Sequence, residues 1–135
     1  MVNLKIKSNF GYFDCVCNCH QANDLLDMLS EIPNDAIHAV KSIKVEADKN
    51  VIGKEYEVYD NSYCINIASG KHALLAKGAC ISSELGAKFI VANKPYVQRV
   101  GTFIGKSVYR LFVNVESTKT GSVYRVLFSE NAVRG

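Results

Sequence analysis

A chain of 135 residues has the size of one ordinary domain, long enough to bury most of its apolar surface and too short for two ordinary cores. Its 48% hydrophobic and 21% charged residues, with nine glycines and two prolines, exclude a largely disordered or low-complexity chain. The net charge of +3 hides an asymmetry, because residues 1 to 63 carry 6 Lys and Arg against 10 Asp and Glu, while residues 64 to 135 carry 10 against 3.

Met1 to Lys7 alternates charged and apolar residues where a secretory leader would be continuously apolar, so the expected location is the cytoplasm. Residues 2 to 19 read as one long strand or as a hairpin broken near Ser8 and Asn9, with a bulge at Gly11. Phe13, Cys15, Cys17 and Cys19 then share one face, and Tyr12, Asp14, Val16 and Asn18 the other. From His20 the period changes. Ala22, Leu25, Leu26, Leu29 and Ile32 follow helical spacing opposite Asn23, Asp24, Asp27 and Glu31, and Pro33 ends that helix. A short second helix is expected from Pro33 to Val40. A half-buried strand carrying Ile43, Val45 and Ala47 follows, then a turn at Asp48 to Asn50.

Further strands are expected from Glu55 to Tyr59 and Tyr63 to Ala68, with a turn at Asp60 to Ser62 between them. Leu74, Leu75, Ile81 and Leu85 predict a helix over Lys71 to Leu85, ended by Gly86 at its C′ position, and strand Lys88 to Ala92 comes next. Were the flanking strands parallel neighbours, that crossover would be right-handed. The last forty residues read as strands alone, roughly Val97 to Ile104, Ser107 to Glu116 and Ser122 to Ser129. The predicted fold is α+β: a single domain over residues 1 to 135, with a mixed or mainly antiparallel sheet, two main helices and an all-β C-terminal hairpin region. The apolar runs, such as Phe89 to Ala92, are far shorter than the ~20 residues of a membrane-crossing helix, so no membrane partner is expected.

Five cysteines are an odd number, and Cys15, Cys17 and Cys19 at alternate positions make poor disulfide partners, which predicts reduced thiols. With His20, and with Cys64 or Cys80, they have the ligand chemistry for zinc. Alternate strand residues lie about 6.6 Å apart, however, where structural zinc sites use two cysteines on a tight turn. Core packing is therefore the preferred reading, with no metal and no cofactor expected. A Cys/His nucleophile pair drawn from His20, His38 or His72 has no recognisable sequence context.

Ser69, Gly70 and Lys71 lie where a strand is expected to feed a helix, so free N–H groups, the helix dipole, a lysine and a hydroxyl converge on one phosphate or carboxylate. The pattern lacks the upstream glycine and the following hydroxyl of a phosphate-binding P-loop, and Ser69 or Gly70 as a plain N-cap with Lys71 solvated is the preferred reading.

The clearest element is the C-terminal hairpin. Val108 to Phe112 and Val123 to Phe128 flank Thr118-Lys119-Thr120-Gly121, a type I turn with glycine for the left-handed position. A three-residue loop pairs Phe112 with Phe128, Arg110 with Glu130 and Val113 with Leu127; a two-residue loop pairs Phe112 with Leu127. Either register places Arg110, Phe112 and Asn114 on the less apolar face of their strand, where arginine suits phosphate and an aromatic suits base stacking. Burial of this face beneath helices is the competing expectation.

These features predict a small binding protein without enzymatic activity, whose basic C-terminal half contacts nucleic acid or a nucleotide-like, phosphorylated ligand. The candidate contacts are Ser69, Gly70, Lys71, Arg99, Arg110, Lys119 and Arg125, with Phe112 as a stacking platform. The alternative is a protein-binding inhibitor or immunity-type factor that docks through its acidic first helix or an uncovered sheet edge.

Overall fold

Alternation at the start of the chain produces a hairpin in which Asn3–Ser8 (β1) pairs antiparallel with Cys15–Asn18 (β2). The structure, a computed structural model, describes residues 3–8, 15–31, 43–58, 63–73, 75, 82–104 and 106–134. Leu4 and Ile6 are buried while Lys5 and Lys7 face water, and Cys17 is buried while Val16 is exposed. On its other side β1 pairs with Ile43–Ala47 (β3), again antiparallel, so the order of the three strands is β2-β1-β3.

The change of period at Cys19 is a helix start with a reciprocal cap. Asn18 Oδ1 accepts from the Gln21 amide at 2.9 Å, and Gln21 Oε1 accepts from the Asn18 amide at 3.0 Å. Helix α1, Cys19–Ser30, buries Ala22 and Leu26 and packs against β1 and β2. It stops three residues short of Pro33, as a proline that cannot continue a helix requires.

Chain contacts divide the molecule into two compact units, residues Met1–Lys49 with Pro95–Leu111, and Asn50–Lys94 with Phe112–Gly135. The first unit holds β1 to β3, α1, Tyr96–Phe103 (β7), which contacts β3, and the Lys106–Leu111 part of the long strand Lys106–Ser117 (β8), the strand with which β7 pairs. The second is built on a sheet ordered β10-β4-β6-β8-β9-β5, with β4 Glu55–Tyr56, β5 Ile65–Asn66, β6 Phe89–Val91, β8 Lys106–Ser117, β9 Val123–Leu127 and β10 Val133–Arg134. Its core contains Phe89, Val91, Phe112, Val113, Val115, Tyr124 and Val126, with Phe89 and Tyr124 edge to face at 6.1 Å. Tyr56 ties the end of the chain down by donating to the Leu127 carbonyl while accepting from the Ser129 amide.

The architecture is sheet-rich α+β with antiparallel pairing throughout the ladders of the described residues, and one α-helix among them. The expectation of two main helices is corrected at residues 71 to 85. Lys71 to Ala73 and Leu75 are not helical, and Ser82–Glu84 forms only a 3₁₀ turn, followed by Gly86 at φ +77°. Since β5 and β6 join different antiparallel partners, the crossover considered for them does not arise. Strand Tyr63 to Ala68 contracts to Ile65–Asn66, and Glu55 to Tyr59 to Glu55–Tyr56 within the described residues. The short helix expected over Pro33 to Val40, the bulge at Gly11 and the turn at Asp60 to Ser62 lie outside those residues. No helix among them is long and apolar enough to cross a membrane.

Candidate anion-binding site

The β8–β9 loop has a geometry that neither expected loop length describes. Ser117 pairs with Ser122: the Ser117 amide donates to the Ser122 carbonyl at 2.9 Å, and the Gly121 amide donates to the Ser117 carbonyl at 2.9 Å. The loop thus has four residues, with Gly121 at φ +75° as its left-handed element. Ser117 Oγ accepts from the amides of Lys119 and Thr120, both at 3.2 Å, as an N-cap serine does at a helix start. The resulting register sets Phe112 opposite Leu127 and Asn114 opposite Arg125. The pairings expected of a three-residue loop are therefore corrected, while the pairing expected of the two-residue alternative, Phe112 with Leu127, is the one observed, although the loop itself is longer.

Residues 66 to 71 form a tight turn within an antiparallel strand pair. Asn66 Oδ1 accepts from the amides of Ala68 (3.0 Å) and Ser69 (3.2 Å), and the Gly70 amide donates to the Asn66 carbonyl at 2.7 Å. The Asn66 amide donates to the Lys71 carbonyl at 2.8 Å, Ala73 donates to Cys64 at 3.1 Å, and Ile65 bridges His72. The helix N-terminus expected at Ser69, Gly70 and Lys71 is absent, and the amides of all three are spent inside the turn, Lys71 on Ser69 Oγ at 3.3 Å. Backbone capture of an anion is thereby removed. The exposed Lys71 side chain remains.

Register brings this turn and the hairpin loop to one end of the sheet. Asn66 pairs with Tyr124, the Ile67 amide donates to the Val123 carbonyl at 3.0 Å, and the Thr118 amide donates to the Lys88 carbonyl at 2.8 Å. Lys71, Lys88 and Lys119 therefore rise from three segments at the same sheet end, all exposed. Lys119 Nζ also donates to the Leu85 carbonyl at 3.0 Å, an exposed contact. Sequence reasoning missed Lys88, whose place depends on the β6–β8 register.

Beneath this end sits a polar cluster built on Glu84, which is 2% exposed. Thr120 donates to Glu84 Oε1, and the Tyr124 phenol lies close to the side chains of Ser122, Asn66 and Glu84. Burial first, and the Glu84 charge second, push the Tyr124 phenol above its ordinary range. Glu84 Oε2 has no hydrogen-bond partner among the described residues. Glu116 is the exposed acid of residues 64 to 135 in the described set, diagonal to Lys88 across the ladder.

The other expected contacts lie elsewhere. Phe112 has no exposed surface and carries the Arg125 guanidinium 4.2 Å from its ring centre, so the expected stacking platform is corrected to a core aromatic. Arg125 is itself buried and donates to the Tyr63 carbonyl at 2.9 Å, which takes it out of the surface set. In the first unit, Arg110 pairs with Asp27 at 3.3 Å and donates to the Tyr109 carbonyl at 2.8 Å, while Arg99 is exposed on β7.

Cys17, Cys19 and Cys64 are buried and outside any disulfide, and no group of three His, Cys, Asp or Glu side chains among the described residues is placed to hold a metal. Cys80 and His38 lie outside those residues. His20 stands 3.6 Å from Asp24 on exposed helix surface. Burial pushes the Cys64 thiol up to about 11, opposed by the nearby Arg125 charge. At pH 8 only about one Cys64 in a thousand is then a thiolate. Alkylation of the native protein at that pH should spare Cys64 and proceed once denaturant is added; rapid native labelling, located by peptide mass, would show the site to be open.

Comparison with protein-family models, with curated proteins and with solved structures found no match for this chain.

Proposed function

We propose that this is a small non-enzymatic binding protein that holds a nucleic acid strand or a phosphorylated compound at the hairpin end of its second unit, through Lys71, Lys88 and Lys119. The observation that carries this reading is the gathering of three exposed lysines at one sheet end against a single exposed carboxylate, Glu116. Because the nearby amides are spent, binding is by side-chain cations, which favours a ligand with several phosphates over a single cradled one.

The test is affinity for a single-stranded oligonucleotide as a function of salt, beside a competition with a nucleoside triphosphate. If each lysine neutralises one phosphate, Lys71→Gln, Lys88→Gln and Lys119→Gln together should remove about 2 units from the slope of log affinity against log salt. An unchanged slope would move the ligand away from this end of the sheet. A second reading, a protein partner, is favoured by β2. It is an edge strand of its sheet, with backbone groups on one side that a partner's strand could pair with.

A further inference from the structure

The acidic half of the chain carries a cationic face of its own. On the open side of the first unit's sheet, Lys5 stands opposite Val16 on one neighbour and Glu46 on the other, and Lys7 stands directly opposite Lys44. All five side chains are exposed. Like charges facing each other across an antiparallel pair have Cβ atoms about 4.5–5.5 Å apart and repel. No ion pair with a described residue relieves Lys5, Lys7 or Lys44.

Two of the described carboxylates of this unit are engaged on the helix and one at the end of the sheet. Asp24 faces His20 at 3.6 Å, Asp27 pairs with Arg110 at 3.3 Å, and Asp48 accepts from the Asn3 amide and side chain at the far end of the sheet. Among the described residues Glu46 stands among the three lysines on the open face, and Asp48 lies beyond it at the strand end, diagonal to Lys5. The charge over residues 1 to 63 is negative, yet strand alternation sets Lys5, Lys7 and Lys44 on one face.

We infer that this sheet face binds the phosphodiester backbone of a nucleic acid. Lys5 and Lys7 recur about 6.6–6.8 Å apart along β1, with Lys44 alongside on β3, forming a short ladder of point charges. Val16 is the apolar side chain exposed among them, too little for the apolar core that a protein interface requires, whereas phosphate contact needs only cations. A polyanion would also relieve the Lys7–Lys44 repulsion. The inference shares with the proposed function the premise that the ligand is a nucleic acid, but uses none of the same residues.

The experiment compares the full chain with two triple variants, Lys5→Gln/Lys7→Gln/Lys44→Gln and Lys71→Gln/Lys88→Gln/Lys119→Gln, by titrating a labelled single-stranded oligonucleotide over a range of salt. The sheet variant should lose about 2 units of slope. It should also unfold at a temperature no lower than wild type, because a repulsion has been removed, so that lost binding is not lost folding. A wild-type slope in the sheet variant overturns this inference even where the hairpin-end variant loses affinity. Loss confined to the sheet variant overturns the hairpin-end site and leaves this face standing. A wild-type protein without salt-dependent affinity overturns both.

Discussion

Phe112→Ala should lower the free energy of unfolding by about 3–5 kcal/mol, the usual cost of removing a buried aromatic ring. Phe112 is fully buried on β8, between β6 and β9, so the space it leaves cannot be filled by water without cost. It is also the surface on which the Arg125 guanidinium rests at 4.2 Å, and Arg125 Nε has no hydrogen-bond partner among the described residues. Removing the ring therefore leaves a cavity beneath a buried charge, the state in which such a charge is most expensive. Arg125→Met, which removes the charge and keeps most of the volume, should cost less than Phe112→Ala. Chemical denaturation of both variants tests the ordering. A Phe112→Ala protein within about 1 kcal/mol of wild type would place the ring outside the core and return it to consideration as a base-stacking surface.

The faces of β1, β2 and β3 were legible because each strand has one wet side. Leu4, Ile6 and Cys17 against Lys5, Lys7 and Val16 is the alternation of a half-buried sheet. The same logic misplaced Arg125 because Tyr124, Arg125 and Val126 are consecutive and all buried, so β9 is covered on both faces and alternation carries no information there. Loop length was illegible for a different reason. Ser117 caps the amides of Lys119 and Thr120, which draws the serine into the turn and makes the loop four residues long, a length that shares the two-residue register and excludes the three-residue one. Between residues 63 and 85, small apolar residues at helical spacing outweighed a stronger local signal. Asn66 followed by Gly70 is an Asx turn closed by a glycine at φ +70°, and it folds Lys71 back along β5. The candidate site depends on that turn and on the β6–β8 register, which is why Lys71 and Lys119 were found in the sequence while Lys88 and Glu84 were not.

Gly121→Val should cost about 1–3 kcal/mol, because a β-branched residue must be forced to the positive φ that glycine adopts freely. The site isolates this backbone effect. A Cβ at Gly121 would meet nothing within 4 Å, so no steric clash adds to the cost, and the strain is set by φ +75° alone. Residue 104 holds the opposite case. Ile104, in the connection between β7 and β8, has φ +50° and is 83% exposed, a β-branched side chain in a conformation that suits asparagine or glycine far better and with little burial to offset it. Ile104→Asn should therefore raise stability by up to about 1 kcal/mol, part of the usual 1–2 kcal/mol cost of left-handed backbone. The two substitutions exercise one physical term with opposite signs, so their thermal unfolding midpoints should move in opposite directions. A Gly121→Val protein as stable as wild type would mean that the β8–β9 loop is not closed through a left-handed residue, and the Ser117–Ser122 pairing that sets Lys119 beside Lys88 would fall with it.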